Sequence, residues 1–340
     1  MYGLKEFTKI NAVSGNETVL RKKIRELTEP YADSITVDTM GNLIVFKKGK
    51  NPNGKKVIVS AHMDEVGFII SGITEDGFLK FKSVGGIDER ILLAQRVVIG
   101  EKKIPGVMGV KAIHLQSPSD RKSVIKEKDM YIDIGAKNKK QAEKIVSLGD
   151  YAAFDTEYTE FGDGMIKAKA IDDRAGCAIL CELAKGEYQN DMYLCFCVQE
   201  EVGLRGAKIL ARRINADVAI ILEATTCSDV ANLKPHQYAT QLGLGPAISI
   251  MDRASFSDKE LNRFIVNIAE NEKIPYQFKK TAMGGNDAGA YQTASVACKT
   301  AVISLPCRYI HSPVSCCKKQ DFENMHKLAN KVAQDIHMFL

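Results

Sequence analysis

Four apolar, β-branched runs stand out along the chain, and each leads to residues with metal-binding or acid–base chemistry. Val57-Ile58-Val59-Ser60-Ala61 runs into His62, with Asp64 two positions on, and Tyr193–Val198 leads through Gln199 to Glu200 and Glu201. Val218–Leu222 stops at Glu223, and Ala301–Leu305 passes through Pro306–Ile310 to His311. Continuous apolar runs of this length predict strands buried on both faces, which belong to parallel or mixed sheets inside α/β layers. Open sheets of that kind bind ligands at the carboxyl ends of their strands. The pattern therefore predicts one rim that carries two histidines and several carboxylates.

Helical spacing fills the intervals. Glu17, Leu20, Ile24 and Leu27 after the Ser14-Gly15-Asn16 turn predict an amphipathic helix over 16–30, followed by strands over 35–47 and 57–61. Later, helices predicted over 174–185, 205–214, 257–272 and 319–338 alternate with strands over 193–198, 218–222 and 301–305. From about Gly67 to Asp163 the texture changes to short β-like pieces between turns such as Asp76-Gly77 and Gly85-Gly86. The expected class is α/β: a discontinuous sandwich of residues 1–66 and 164–340, interrupted by a β-rich insert over 67–163.

Composition narrows the function without naming it. The 340 residues are 45% hydrophobic and 26% charged, as in an ordinary globular protein large enough for two domains. A net charge of +5 with scattered basic residues argues against a nucleic-acid partner. No run of about eighteen apolar residues crosses a membrane, and Met1–Glu6 does not open a signal peptide. Nine cysteines, most inside apolar runs, suit small buried hydrophobes in a reducing cytoplasm. Cys316-Cys317 reads as a pair that could be exposed.

Each chemical residue has a plain structural reading beside a functional one. His62 with Asp64 is either a strand-end structural histidine or a metal ligand whose ring a carboxylate orients. Asp172-Asp173 before Arg174 opens a helix. One acid is explained by capping, and the other either has no further task or reaches the rim as a ligand. Glu200-Glu201 is either a solvated loop or a ligand beside a base for metal-activated water. Glu223 and His311 are each paired structural residues or ligands. His326 and His337 are expected to face solvent, and His114 and His236 to lie in loops without a role.

The string Ala61-His62-Met63-Asp64-Glu65-Val66-Gly67-Phe68 resembles the M42 metallo-aminopeptidases, the glutamyl/leucyl, TET-like group. So do Asp172–Gly176, Glu200–Ala207, Arg308–Pro313, Gly85–Asp88, Ile132–Gly135, Gly245–Ile248 with Met251-Asp252-Arg253, and Gly284–Ala290. This resemblance implies one metal held by His62, Asp172 and Glu223 and a second by Asp172, Glu201 and His311. Glu200 would be the general base, and Asp64 would orient His62. It also implies two divalent ions (zinc or cobalt, or manganese), peptide substrates, a zinc-peptidase-like sandwich and a PDZ-like dimerisation insert. Dimers would build a homo-oligomer that can reach a dodecamer. Two positions depart from the pattern: Glu223 stands where many members have Asp, and Asn286 where the block commonly has Thr. An endoglucanase-like glycoside hydrolase and a related-fold deacylase are the competing expectations.

Overall fold

The structure is a computed structural model that describes residues 3–280 and 283–340. Its strands are β1 (Ser34–Val37), β2 (Leu43–Lys47), β3 (Lys56–His62), β4 (Gly67–Ile73), β5 (Leu79–Val84) and β6 (Arg96–Ile99). Next come β7 (Ile104–Gly109), β8 (Tyr131–Asp133), β9 (Tyr151–Phe154), β10 (Thr159–Phe161), β11 (Met165–Ala168) and β12 (Asp191–Cys197). The last are β13 (Val218–Thr226), β14 (Ala247–Ile248), β15 (Gln277–Phe278), β16 (Lys299–Arg308) and β17 (Ser315–Lys318). The helices are α1 (Leu4–Phe7), α2 (Thr18–Thr28), α3 (Lys139–Ala142), α4 (Ile171–Leu183), α5 (Arg205–Arg213), α6 (Lys259–Asn271), α7 (Ala288–Gln292) and α8 (Lys319–Asp335).

One mixed sheet runs β1-β2-β12-β3-β13-β16-β17-β11-β10, with β14 on β16 and β15 on β14. Its centre is parallel, β12 and β13 flanking β3 and β16 following β13. Alternation along β12 divides the core. Met192, Leu194 and Phe196 join α4 and α8 residues on one face, while Cys195 and Cys197 join α5 and α7 residues on the other. The four apolar runs are thus central strands, and their carboxyl ends share one rim.

Several boundaries differ from the sequence reading. The strand expected over 35–47 is two, because Asp38 accepts the Gly41 and Asn42 amides at 2.9 and 3.0 Å and turns the chain. β13 does not stop at Glu223 but continues to Thr226, since its parallel register with β16 runs to Thr226 opposite Cys307. Cys316 and Cys317 are buried, not exposed, because β17 packs between β16 and β11.

The short strands after Gly67 close a separate barrel, β4-β5-β8-β7-β6-β9. Its core holds Phe68 edge-on to Phe81 and to Phe154, with ring centroids 5.2 Å apart in both pairs. β10 falls inside the 67–163 stretch but pairs with β11 in the main sheet. The barrel strands themselves span 67–154.

Candidate metal centre

His62 is the last residue of β3, and Glu223 sits on neighbouring β13. Asp172 enters from the start of α4, where the expected helix opening takes an unexpected form. Asp172 and Asp173 have non-helical backbone, and regular helix begins beyond them. Asp173 does the capping, since its Oδ1 accepts the Gly176 amide at 2.9 Å. Asp172 is thereby left to reach the rim. Gly176 makes room for this: a Cβ there would lie 2.4 and 2.7 Å from the Asp173 carboxylate oxygens and 2.9 Å from Ala61 Cβ.

The side chains expected to act together do meet. His62 Nε2 lies 3.2 Å from Asp172 Oδ1 and 3.4 Å from Glu223 Oε1. His311 Nε2 lies 3.6 Å from Asp172 Oδ2 and 3.2 Å from Glu201 Oε2. Two donor groups result, His62–Asp172–Glu223 and Asp172–Glu201–His311, and within each the ligand atoms lie within 4.8 Å of one another. Asp172 belongs to both. Glu200 lines the same pocket, a cavity of about 380 Å³ that also touches His62, Asp172, Glu223 and His311.

The backbone around these residues is unusual. Ala170, Gln199, Tyr309 and His311 all have φ between 52° and 62°, a region that non-glycine residues rarely occupy. Each is a proposed ligand or base, or lies within two residues of one, and such conformations cluster where a site over-determines the chain.

Packing these charges together shifts the titration of each. Burial, then the Asp172 charge, pushes Glu223 up to about 8. Burial pushes Glu201 up to about 7, partly opposed by His311, and it pushes Glu200 well above the carboxylate range. Burial opposes charge on both imidazoles, yet Glu223 with Asp172 holds His62 well above its usual value. Asp172 with Glu201 lifts His311 to about 9. Burial also works against ionised Asp172, but the two histidines outweigh it and hold its pKa down. Burial on this scale disfavours ionised carboxylates that have no cation beside them. A nitrogen-and-oxygen donor set of this kind, sharing one carboxylate, fits divalent cations such as zinc.

Residues around the cluster hold it in shape. His62 Nδ1 is 3.1 Å from the Asp64 main-chain oxygen and 3.5 Å from the Asp64 carboxylate. That carboxylate does more than face the ring: it accepts the Ser14 hydroxyl and the Glu200 and Glu201 amides. Burial would raise the Asp64 pKa, but His62 and these donors bring it below the usual value. Glu17 accepts the Gln199 amide, so two acids anchor the loop that carries the glutamates. His311 Nδ1 is 3.1 Å from the carbonyl oxygen of Gly86, which follows barrel strand β5. Beneath the cluster, Glu65 is buried against Lys169 and Arg174. Arg174 also donates to the carbonyls of Met63, Phe7 and Ile10.

Sequence reasoning did not find Ser14, Glu17, Gly86 or Lys169. Of these, Ser14, Glu17 and Gly86 stood inside segments it singled out, and Lys169 did not. His114 and His236 lie outside the cluster, exposed, as does His337. His326 is half-buried rather than solvent-facing, because α8 packs against α4 and α6. The Asn286 amide is turned inward, donating to Asp252 while its oxygen accepts the Ala288 amide.

Known proteins resemble this chain along most of its length. The profile of the family described as M42 glutamyl aminopeptidase matches residues 41–328. A putative aminopeptidase of Acetivibrio thermocellus is 39% identical, covering 96% of both chains. The lysyl aminopeptidase of Pyrococcus furiosus is 30% identical, covering 98% of this chain and 96% of its own. Among solved structures, a Pyrococcus horikoshii TET1 peptidase that can assemble into a tetrahedron or a large octahedral shell superposes with a TM-score of 0.88. It is 36% identical and covers 98% of each chain.

Proposed function

Because the chain belongs to the M42 glutamyl aminopeptidase family and is a peptidase of the hydrolase class, we propose that it removes the first residue of peptides at a two-cation site with Glu200 as general base. One observation carries this reading. Two imidazoles and three carboxylates converge through a shared Asp172, with a fourth carboxylate in the same pocket.

In this reading His62, Asp172 and Glu223 hold one cation, and Asp172, Glu201 and His311 hold the other. Zinc or cobalt suits the donors best, and manganese is a further candidate. Cations bound there would acidify water and polarise the scissile carbonyl. The chain's own residues do the rest. Glu200 takes a proton from the attacking water on its carboxylate and returns it to the departing amine. Asp64 keeps Glu200 in place by accepting its amide. The free α-amino group of the substrate is drawn to the carboxylate side of the pocket, which limits cleavage to the first bond.

Residues 1–66 and 164–340 form the catalytic α/β sandwich in this proposal, and 67–163 the PDZ-like insert, apart from β10, which pairs in the main sheet. Exposed Ile113, Leu115 and Val124 on the barrel side support self-association of the chain through that insert, as dimers able to build a larger shell. Nine unpaired cysteines, eight of them buried, suit the cytoplasm. The glycoside-hydrolase alternative draws no support from the site, because three of its four central carboxylates lie beside a histidine. The test is an aminoacyl-nitroanilide set against the same compounds N-acetylated. Cleavage of only the free-amine series, abolished by a chelator and restored by zinc or cobalt, is expected. Preference for the acetylated series would replace this reading with a deacylase.

A further inference from the structure

The loop that carries Glu200 hangs from buried acids at three consecutive amides. Asp64 takes two of them, accepting Glu200 through Oδ1 at 3.0 Å and Glu201 through Oδ2 at 3.2 Å. The third, at Gln199, is accepted by Glu17 Oε1 at 3.2 Å, from 182 positions away in the chain. Gln199 needs such a hold, because its φ of 54° lies in a region that non-glycine residues rarely adopt. Glu17 is 4% exposed and stands at the start of α2, yet makes no capping hydrogen bond to that helix. Its plain structural role is in the Ser14-Gly15-Asn16 turn, where Oε1 also accepts the Gly15 amide at 2.8 Å. The turn is itself braced. Ser14 donates to Asp64 at 2.6 Å, and a Cβ on Gly15 would lie 2.7 Å from the Tyr151 hydroxyl of β9.

We infer that Glu17 is a positioning residue for proton transfer, fixing the backbone from which the Glu200 carboxylate reaches the attacking water. This rests on the peptidase reading with Glu200 as base. It adds a residue that is not among those lining the pocket and acts only through another. Where β12 ends, Asn42 Oδ1 accepts the Val198 amide at 3.0 Å. Beyond the base the chain turns into α5, the Gly203 and Leu204 amides both donating to the Glu200 carbonyl at 2.9 Å. Asp64 ties Glu200 to Glu201, and so holds the two glutamates together. Between these fixed stretches lies Gln199, and Glu17 accepts its amide. Losing Glu17 therefore lets the strained residue relax and carries Glu200 with it. A base must stay within hydrogen-bond reach of the proton it takes, and a misplacement of about 1 Å can cost about a hundredfold in rate. A residue that served the turn alone would leave Glu200 where it is.

The test uses the full-length, metal-loaded protein and the aminoacyl-p-nitroanilide that the wild type cleaves fastest. Glu17→Leu should lower kcat by about tenfold to a hundredfold while KM and metal content, by elemental analysis, stay near those of the wild type. Glu17→Gln, which keeps an acceptor oxygen, should recover most of that loss. Glu17→Asp, which withdraws the oxygen by one methylene, should lose kcat in the same direction and decides the matter if Glu17→Leu does not fold. Combined with Glu200→Gln, either damaging substitution should leave the residual kcat nearly unchanged, because the base it positions is already gone. A wild-type kcat in both Glu17→Leu and Glu17→Asp, a loss restored by added zinc, or a loss repeated in full beside Glu200→Gln overturns the role of Glu17 and leaves the peptidase reading standing. Near-normal turnover by Glu200→Gln itself, or none by the wild type, removes both.

Discussion

The charge triad beneath the site makes a prediction whose sign is not obvious. Glu65, Lys169 and Arg174 are 3%, 3% and 0% exposed, so two cations share one anion out of reach of water. Glu65 is held below the usual carboxylate range: burial opposes its charge, but Lys169 and Arg174 outweigh that. Lys169 has the opposite balance. Burial exceeds the attraction of Glu65, Arg174 adds repulsion, and the pKa falls from 10.5 to about 8. That difference means the charged form is disfavoured by about 3 kcal/mol near neutral pH. Lys169→Met removes this penalty but also two charge-assisted hydrogen bonds to Glu65, at 2.7 and 2.8 Å. Such bonds contribute about 1.5–3 kcal/mol each, so the net change should fall within about 3 kcal/mol of zero. Glu65→Gln leaves two buried cations facing each other and should cost about 3–5 kcal/mol.

Proton linkage gives a second readout. With the folded pKa below the unfolded one, the unfolded chain binds more protons between pH 8 and 10.5, so wild-type stability rises across that window. The wild type should therefore gain about 2 kcal/mol on Lys169→Met between pH 7 and pH 9.5. Urea unfolding followed by circular dichroism, at equal protein concentration and both pH values, measures each quantity. Curves for wild type and Lys169→Met that shift in parallel with pH, or a Lys169→Met cost equal to that of Glu65→Gln, would refute the reasoning.

Three other outcomes are expected. Glu200→Gln should keep its bound metal and near-normal KM while kcat drops about a hundredfold to ten-thousandfold, as measured by steady-state kinetics alongside elemental analysis. Asp172→Asn, at the residue common to both donor groups, should lower the affinity of both cations in a zinc titration, whereas Glu223→Gln should weaken one. Gly176→Ala, whose new methyl would press on the Asp173 carboxylate and Ala61, should cost about 1–3 kcal/mol in urea unfolding.

The strand-end residues were legible because period and chemistry coincide: a run buried on both faces needs a reason to stop at His62 or to continue through Glu223. Asp172 was legible only in part. Its neighbour Asp173 satisfies the capping pattern, and nothing one-dimensional says which of two adjacent acids caps. The two-residue strands β14 and β15 are too short for any periodicity, yet they place Lys279 at the pocket. Lys169 lies in an unremarkable Lys-Ala-Lys-Ala stretch, and its burial depends on a fold that brings Glu65 to it from 104 residues away. The barrel strands were readable from their turns, but closure rests on β4 pairing with β9, a contact that no local pattern encodes.

Gly86 contributes only a carbonyl, but that carbonyl comes from the barrel and fixes one imidazole of the candidate cation site. A shift of the barrel on the sheet would therefore rotate His311 or release its Nδ1 hydrogen. Because binding equilibria are reciprocal, a partner whose docking shifts the barrel and a group held by His311 would change each other's affinity by the same factor. Under the proposed two-cation reading, ion uptake and self-association through the barrel would be joined through a single main-chain oxygen.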